Sequence, residues 1–592
     1  MIDGQIDPPK IFLKASAVLE RQLIAYCLDS WVKTGLGHND IPDNVGACLV
    51  HMKANREKFN QGTLNQGQDI RFPFNFLYYV QNHLTELLSS FEELFSKDID
   101  DSTKQALEDF AKGTQSNKNT PMQVNILKRF EELEAQKEYL ESDRKDLKQY
   151  QAELAQSYEK VEDPSLSAEI KETQDEIDGL TKAIKDLQRK NIYGFMADEG
   201  LLPNYAFPEE GMTLRAVFTR KMDDGEGNER TKAVHYGEYN RAASNAIREF
   251  APMNTFYADG HKMTISRVDV KTAKPELWRL CPNCSHAEPE QEAQKHSACP
   301  SCHCPDWADS GQKVTMLRPQ IVYSNENDME SLIDDGSEDR ATRFYEDQML
   351  VDVMEKDIVK AYEMDNKDFN FGYEFARKAV LREINFGLSG ASGTKTMVDG
   401  IEDVRNGFKI CKYCGSLQPE DDKGKPVHTK ACPAGRFPGD PKYEDAIIPC
   451  MYLYRDFQTE VLRILMPVTS RMDSEVKQES FTAAFMLGMK EYFGNVDHIH
   501  ATVCDVPTEE GPYRKKYLVV YDSVPGGTGY LKQLMENKDS MVQIFQKALS
   551  VMENCSCHDD PQKDGCYRCL YAYRQSRNIG SISRNVAESL LR

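Results

Sequence analysis

The sequence predicts a multidomain α+β protein, in which a helical N-terminal region with an antiparallel coiled-coil hairpin precedes a mixed α/β, zinc-stabilised C-terminal half. Three observations support this fold class. The chain has 592 residues, which is enough for roughly three to five domains of ordinary size. Apolar residues repeat every seven positions in the region that follows residue 120. Eleven of the 16 cysteines fall into three closely spaced groups after residue 280.

Residues 1–120 are predicted to form the helical N-terminal region. Apolar residues recur at three- and four-residue intervals over residues 10–35, which is typical of an amphipathic helix. Similar apolar spacing predicts two further helices, at residues 74–97 and 101–112. The polar, glycine-containing stretch at residues 59–69 predicts a loop.

Residues 121–192 are predicted to form the coiled-coil hairpin. The first arm has one apolar residue in every seven: Ile126, Leu133, Leu140, Leu147, Leu154 and Val161. The Asp-Pro-Ser segment at 163–165 ends this arm, and a second arm with three- and four-residue apolar spacing follows it. The alternative is a pair of long solvated helices, since polar residues interrupt the second stripe of the first arm at Lys137, Arg144 and Gln151.

The C-terminal half is predicted to contain a β-rich domain at 193–324, an acidic linker at 325–345 and an α/β domain at 346–592. Seven Asp and Glu residues against one arginine between Asn325 and Arg340 indicate a solvated linker. Strands are predicted at residues 212–218, 254–270, 313–319, 450–457 and 516–523. Helices are predicted at residues 474–493, 530–551 and 581–592.

Three groups of cysteines have the spacing of zinc ligands. The first has two C-x-x-C pairs separated by 14 residues: Cys281, Cys284, Cys299 and Cys302. The second has three cysteines and one histidine: Cys411, Cys414, His428 and Cys432. The third has a C-x-C pair and a C-x-x-C pair: Cys555, Cys557, Cys566 and Cys569. In a reducing compartment such groups indicate metal sites rather than disulfides.

We therefore expect about three zinc ions per chain. For the first group, the alternatives to zinc are an iron–sulfur site or reduced free thiols. Cys304 could compete as a ligand in the first group, and His558 could replace a cysteine ligand in the third group. Four protein ligands leave no open coordination position for a water nucleophile, so the sites are predicted to be structural rather than catalytic. The remaining cysteines are predicted to be ordinary thiols: Cys27, Cys48, Cys304, Cys450 and Cys504.

No complete catalytic motif is found. The segment GLSGASGTKT at 387–396 is close to a phosphate-binding loop, but Thr394 separates the glycine from the lysine that this motif requires to be adjacent. Asp497, His498 and His500 suggest a metal-dependent nuclease as an alternative function, against the simpler interpretation of a solvated turn. The chain is therefore expected not to be an enzyme.

Two features near the C-terminus are candidate DNA contacts. In the first, a predicted strand is followed by a glycine-rich turn that includes Gly526 and Gly527, and then by a helix from Tyr530. The backbone N–H groups of such a turn at the start of a helix can bind a phosphate. Arginines interleaved with tyrosines follow, and such side chains hold nucleic-acid strands; the candidates are Arg568, Arg574 and Arg577. The alternatives are a tight turn that needs glycine for packing, and arginines that pair with acidic residues.

Charge and hydropathy limit the location and the partners. The net charge of −22 argues against a protein that coats nucleic acid with its whole surface, and restricts any DNA contact to a local basic site. No stretch approaches the roughly 18 apolar residues of a membrane span, and the first residues lack the pattern of a secretory signal. A cytoplasmic protein without membrane contact is expected.

The string YDSVPGGTGYLKQL, followed by CSCHDD and GCYRCLYAYRQSRN, resembles the zinc-binding MZB domain at the C-terminus of many DEAD/DEAH-type helicases. In that family the four cysteines that correspond to the third group bind zinc. The segments at 200–211, 240–260 and 11–29 are similar to regions that lie between the motor and this domain. The motor itself is missing here, and the layout resembles the B subunit of the bacterial anti-phage system DISARM, with a similar tail in the Druantia helicase.

The resemblance implies a non-catalytic, zinc-binding accessory subunit of a helicase complex that helps to engage DNA, single-stranded or with an overhang, in anti-phage defence. The expected partner is a helicase or ATPase subunit, bound through the N-terminal helices and the coiled coil. The alternatives are the metal-dependent nuclease and an assembly scaffold that does not contact DNA.

Overall fold

Helices make up most of the chain up to residue 198, and all the described strands follow that residue together with further helices, which confirms the predicted α+β class. The computed structural model describes residues 16–35, 41–61, 70–95, 99, 101–113, 120–161, 164–203, 211–223, 229–333, 343–365, 371–390, 393–398, 401–419, 426–466, 474–494, 496–507, 514–524, 527–560, 563–571 and 579–592. None of the helices within these ranges is both long enough and apolar enough to cross a membrane.

The N-terminal region has eight described helices: α1 (Ser16–Lys33), α2 (Val45–Leu49), α3 (Met52–Gln61), α4 (Phe74–Leu94), α5 (Asp101–Lys112), α6 (Pro121–Val161), α7 (Pro164–Arg189) and α8 (Ile192–Asp198). The C-terminal half has seven: α9 (Ala243–Glu249), α10 (Glu290–Ala293), α11 (Pro433–Arg436), α12 (Ser474–Phe493), α13 (Tyr530–Glu536), α14 (Asp539–Glu553) and α15 (Arg584–Leu591).

The described strands are β1 (Gly211–Asp223), β2 (Glu229–Ala242), β3 (Thr255–Ala258), β4 (His261–Thr264), β5 (Arg267–Val268), β6 (Glu276–Leu280), β7 (Ala287–Pro289), β8 (Lys313–Leu317), β9 (Ile321–Asn327), β10 (Tyr345–Asp352), β11 (Ile358–Glu363), β12 (Gly372–Leu388), β13 (Thr394–Val398), β14 (Ile401–Arg405), β15 (Phe408–Cys411), β16 (Ile447–Leu465), β17 (Ile499–Pro507) and β18 (Arg514–Asp522).

Aromatic side chains hold the helical region together. Trp31 of α1 lies 5.6 Å from Phe76 of α4, and Phe130 of α6 lies 5.1 Å from Phe195 of α8, measured between ring centroids. All four side chains are buried. Such aromatic pairs add to the free energy of apolar burial. The N-terminal part of α6 belongs to the same hydrophobic core as α1 and α4.

Helices α6 and α7 form the predicted antiparallel coiled-coil hairpin. The heptad residues Ile126, Leu133, Leu140, Leu147 and Leu154 are all buried. Gln151, one of the polar interruptions of the second stripe, donates hydrogen bonds across the hairpin to the carbonyl oxygen of Ile170 and to Oε1 of Gln174, at 3.3 and 3.0 Å. The polar interruption therefore makes contacts between the two arms.

The hairpin lies along the C-terminal half of its own chain. Lys271 forms an ion pair with Asp143 of α6 at 2.5 Å. Arg436 of α11 forms an ion pair with Glu153 and lies 5.2 Å from the centroid of the Tyr150 ring. Cation–π contact of this kind adds to an ion pair. Part of the hairpin surface is thus covered within the chain.

A ten-stranded sheet joins segments that the sequence divides between two predicted domains. Its main order is β10-β12-β16-β8-β6-β7, with β11 on β12, β15 and β18 on β16, and β17 on β18. Strand β8 pairs in parallel with the first third of β16, at residues 451–453. A second sheet has the order β2-β1-β9-β5, and β3-β4 and β13-β14 are separate hairpins. The predicted boundary at 325–345 therefore does not separate two sheets.

Two segments differ in detail from the predictions, and a third agrees with the expected turn. Strand β9 continues to Asn327, inside the predicted linker, of which residues 334–342 lie outside the described residues. The segment 387–396 leads into the β13-β14 hairpin rather than a helix, as expected for a turn instead of a phosphate-binding loop. The predicted helix at 530–551 is divided at Asn537, whose backbone is extended and whose side chain accepts a hydrogen bond from the N–H of Asp539 at the start of α14.

Candidate metal centres and nucleic-acid interface

The first cysteine group lies beside the β6-β7 hairpin. The Sγ atoms of Cys281 and Cys302 are 3.6 Å apart, and so are those of Cys284 and Cys299. The fully buried Trp307 packs against this group. The two C-x-x-C turns therefore face each other, as their spacing predicts.

The second group lies at the end of β15. The Sγ atoms of Cys411 and Cys432 are 3.8 Å apart. Nδ1 of His428 lies 3.8 Å from Sγ of Cys414 and 3.5 Å from Sγ of Cys432. The imidazole thus completes the group through its Nδ1 atom, which spacing alone does not predict.

The third group lies between the end of α14 and the start of α15. The distances between its Sγ atoms are 3.5 Å for Cys555–Cys566 and Cys555–Cys557, 3.6 Å for Cys557–Cys569 and 3.8 Å for Cys566–Cys569. The buried Arg584 of α15 donates a hydrogen bond from Nη1 to Sγ of Cys557 at 3.4 Å. A cation at this position offsets part of the negative charge of four thiolates.

All three groups fit a tetrahedral zinc ion. A zinc–sulfur distance of about 2.3 Å places the sulfurs of a tetrahedral site about 3.8 Å apart, whereas a disulfide requires about 2.05 Å. Every cysteine of the chain is free, and in each group the four ligand atoms lie within 4.8 Å of one another. The groups are consistent with three zinc ions. A bound ion would cross-link each group and supply folding free energy.

The remaining cysteines lie outside these groups. Burial raises the pKa of the Cys27 and Cys48 thiols to about 12 and that of Cys504 to about 11, which keeps these thiols protonated. Sγ of Cys304, the predicted competing ligand, donates instead to a carboxylate oxygen of Asp306 at 3.7 Å.

The glycine-rich turn after β18 uses its N–H groups inside the protein. The N–H of Thr528 donates to Oδ2 of the buried Asp522 at 2.6 Å, and the N–H of Gly529 donates to Oε1 of the buried Glu460 at 2.9 Å. Gly527 has a φ of 78°, and a Cβ atom on it would lie 2.4 Å from Cγ of Glu460. The geometry favours the alternative of a tight turn required for packing over a phosphate site at Gly527; Gly526 lies outside the described residues.

Glu460 and Asp522 were not identified from the sequence as site residues. The available signal was the position of Glu460, a carboxylate immediately before the apolar residues of a long strand. Burial, and secondarily the nearby charge of Asp522, raise the pKa of Glu460 to about 8. Burial also raises the pKa of Asp522. The turn is thus built on two carboxyl groups that resist simultaneous ionisation.

The stability of the chain is expected to depend on pH through Glu460. Because the pKa in the folded state is above the unfolded value, the folded state binds the proton more tightly. The stabilising contribution of protonated Glu460 is therefore complete below about pH 4.5 and is lost as the pH rises through about 8. The resulting loss in the free energy of unfolding is at most about 5 kcal/mol. Glu460→Gln removes the titration and keeps an acceptor for Gly529, so its melting temperature should change less between pH 5.5 and 8.5.

The matched control is Glu363→Gln, an exposed carboxylate on β11. Its pH profile, measured by differential scanning fluorimetry, should follow that of the wild type. A Glu460→Gln profile as steep as the wild-type profile would contradict the assignment.

The predicted arginine cluster near the C-terminus is divided by the structure. Arg574 and Arg577 lie outside the described residues. Arg592 forms an ion pair with Glu553 at 2.6 Å, as the alternative interpretation anticipates. Arg568 is exposed, and beside it Tyr567 has 69% of its surface exposed. Among the described residues of the predicted interface, these two side chains face solvent.

The predicted nuclease residues do not form a metal-ligand group. Within the described ranges, three or more closely placed Cys, His, Asp or Glu ligand atoms occur only in the three groups above. The ring of His498 lies 5.0 Å from that of Tyr530, and the ring of His500 lies 5.8 Å from that of Tyr521. Both histidines therefore pack on aromatic rings.

Comparison with known proteins identifies the third group with a zinc-binding family. The family model described as the MrfA Zn-binding domain (MZB) matches residues 481–570, which include all four cysteines of that group. The Druantia protein DruE of Escherichia coli (strain UMEA 4076-1) is 22% identical over 465 residues, covering 72% of this chain and 23% of DruE. The chain thus spans less than a quarter of the length of this relative.

The crystal structure of the DUF1998 helicase MrfA bound to DNA matches with a TM-score of 0.29 and 10% identity, over 66% of this chain and 36% of that chain. The predicted MZB zinc-binding domain is confirmed by the family model. The relation to Druantia DruE and to the helicase MrfA is a distant similarity.

Proposed function

We propose that this chain is a non-catalytic, zinc-binding accessory subunit that works beside a helicase or ATPase subunit in bacterial anti-phage defence and helps it to engage DNA. The observation that carries the proposal is the exposed pair Tyr567–Arg568, which lies between two cysteines of the third group inside the MZB span. The helicase partner and the defence context rest on the resemblance of the sequence to the DISARM B subunit and on the similarity to the Druantia protein DruE.

The third zinc group holds this pair at a fixed position. The backbone N–H of Arg568 donates to Sγ of Cys566 at 3.4 Å, and the N–H of Cys569 donates to the carbonyl oxygen of Cys566 at 3.1 Å. The hydroxyl of Tyr571 donates to the carbonyl oxygen of Asp564 at 3.0 Å. A rigid backbone lowers the entropic cost of placing an aromatic ring against a base and a guanidinium against a phosphate.

The non-catalytic role is supported by the chemistry of the metal groups and by the position of Lys395. Closed groups of four protein ligands are suited to stabilising a fold. Lys395, in the segment that is close to a phosphate-binding loop, lies in strand β13 and pairs across the hairpin with Val404. If the purified chain hydrolysed ATP at a rate that Lys395→Ala lowered, the non-catalytic role would be excluded.

Substitution of the exposed pair is expected to weaken DNA binding. Loss of one stacking ring costs roughly 1–3 kcal/mol, so Tyr567→Ala should raise the Kd for single-stranded or overhang DNA about 5- to 150-fold. Arg568→Gln should lower the slope of log Kd against log salt by about one, because one phosphate contact is lost. Fluorescence anisotropy over a series of salt concentrations measures both effects.

Arg592→Gln is the matched control, because it removes a charge from the same segment that is already paired with Glu553. Its Kd and salt slope should equal those of the wild type. An absence of salt-sensitive DNA binding, both for the chain alone and for its complex with a co-expressed helicase subunit, would exclude DNA engagement and favour the scaffold.

A further inference from the structure

The coiled-coil hairpin lies against the C-terminal half without a shared hydrophobic core. Within the described residues, each core cluster is formed either by side chains up to residue 202 or by side chains from residue 212 onward. Helix α6 contributes to the core of the helical region as far as Leu140, whereas Leu147 and Leu154 are buried outside that core. The position of the outer half of the hairpin therefore depends on contacts of charged and aromatic side chains.

Helix α6 carries two pairs of side chains that each hold a cation of the C-terminal half. These cation-binding pairs are Tyr139 with Asp143, and Tyr150 with Glu153. Nζ of Lys271 lies 2.5 Å from the carboxylate and 4.9 Å from the ring centroid of the first pair. The guanidinium of Arg436 forms an ion pair with the carboxylate of the second pair and lies 5.2 Å from its ring centroid. The two tyrosines are three helical turns apart, so both pairs are on one side of α6, about 16 Å from each other.

The cation of the second pair is fixed by ligands of the second zinc group. Arg436 ends the single turn of α11, which begins directly after the ligand Cys432. The N–H groups of Arg436 and Gly435 donate to the carbonyl oxygen of Cys432 at 2.9 and 3.1 Å. A Cβ atom on Gly435 would lie 2.7 Å from Cβ of the ligand His428, so this turn rests directly on the metal group.

The cation of the first pair is tied to the same zinc group through β5. The N–H of Val268 on β5 donates to the carbonyl oxygen of Gly415, which follows the ligand Cys414, at 3.0 Å. Lys271 comes three residues after Val268, and its N–H donates to Oδ1 of the buried Asp269 at 3.0 Å. Strand β9 holds β5 as well, so Lys271 depends on the zinc group less than Arg436 does.

We propose that the second zinc group is the docking site of the coiled-coil hairpin, and that metal bound in this group holds the hairpin on the C-terminal half. Partly exposed ion pairs and cation–π contacts are individually weak and are screened by salt. Docking therefore requires both cations at the spacing of the two pairs on α6. An assembled metal group supplies this spacing in advance, which lowers the entropic cost of docking. Without metal, the turn that carries Arg436 loses the ligands on which it rests.

Single-molecule fluorescence resonance energy transfer in the full chain tests the proposal. Dyes are attached through p-azidophenylalanine at Lys160, near the end of α6, and at Val542 of α14; both positions are exposed, and no cysteine is labelled. Arg436→Gln should lower the ratio of docked to released molecules about five-fold. Lys271→Gln combined with Arg436→Gln should lower it about 25-fold, because distant contacts add. The double variant should also lose the dependence of this ratio on salt.

A double-mutant cycle tests the second pair itself. Glu153→Gln should cause no further release in the Arg436→Gln background, since its partner is already absent. Glu159→Gln, at an exposed carboxylate further along α6, is the matched control and should stay docked. Zinc content and melting temperature report folding of each variant. A wild-type ratio in the Lys271→Gln, Arg436→Gln double variant overturns the proposal.

The dependence on metal is tested with ligand substitutions in two different groups. Cys432→Ser and Cys302→Ser should each contain two zinc ions instead of three by elemental analysis. Cys432→Ser should release the hairpin at least as much as Arg436→Gln does, whereas Cys302→Ser should stay docked. His428→Ala provides the same test if Cys432→Ser does not fold. Equal release in the two groups, or a docked hairpin in a variant that has lost the second zinc ion, overturns the proposal.

Discussion

Cys569→Ser should lose one of three zinc ions and unfold the helical layer formed by α12, α14 and α15. Cys569 is buried in one cluster with Ala484 of α12, Met552 of α14 and Ala587 of α15. A structural zinc ion contributes on the order of 10 kcal/mol in small modules, which is comparable to the whole stability of a domain. Elemental analysis should report two ions per chain instead of three, and limited proteolysis should cleave within residues 474–592.

Cys504→Ser is the matched control for this prediction. Cys504 lies on β17, outside the three metal groups, and is partly buried. Its substitution should keep three zinc ions and shift the melting temperature by only a few degrees, since exchange of a partly buried thiol that is not a metal ligand typically costs about 1 kcal/mol. A Cys569→Ser protein with three zinc ions and wild-type protease resistance would exclude the tetrahedral assignment of the third group.

Of the single methyl groups that could be added near the second zinc group, the one in Gly415→Ala is expected to lower the free energy of unfolding most. Gly415 follows the ligand Cys414, has a φ of 75°, and its carbonyl oxygen accepts a hydrogen bond from the N–H of Val268 on β5 at 3.0 Å. A Cβ atom on Gly415 would lie 1.7 Å from the carbonyl oxygen of Val268. The left-handed backbone alone costs roughly 1–2 kcal/mol, and displacement of β5 raises the total above about 4 kcal/mol.

Urea unfolding and elemental analysis of purified Gly415→Ala measure this effect. Gly439→Ala separates the backbone cost from the clash, because Gly439 has a φ of 88° and nothing lies within 4 Å of the position of its Cβ atom. This control should lose only that backbone cost, roughly 1–2 kcal/mol, and keep three zinc ions. Equal losses in the two variants would show that the approach of β5 to the zinc group does not limit stability.

Cys569→Ser and Gly415→Ala also test how the zinc groups are connected to the sheets. The first group lies beside the β6-β7 end of the ten-stranded sheet, and the second extends β15 and contacts β5 of the smaller sheet. The third holds the helices that pack near β17 and β18. Each metal group therefore stabilises a different part of the C-terminal half. Loss of one metal ion is expected to cause local unfolding around its group before the whole domain unfolds.

Several features were predictable because they depend on residues that are close in sequence. A heptad pattern fixes which side of a helix is buried, and the buried positions from Ile126 to Leu154 follow it. The spacing of the twelve metal ligands allows each pair to form one tight turn, and the structure brings all twelve into three groups. These are local constraints that a sequence states directly.

Other features were decided only by tertiary structure, because they join residues far apart in the chain. Glu460 meets Gly529 through the pairing of β16 with β18, and Arg21 shares a cleft with Arg215 because the helical region lies against the small sheet. The ion pair between Glu153 and Arg436 similarly places the hairpin on its own chain. No local pattern encodes such contacts: they follow from sheet order and from the docking of separate cores, where the free energy comes from the summed burial of many residues.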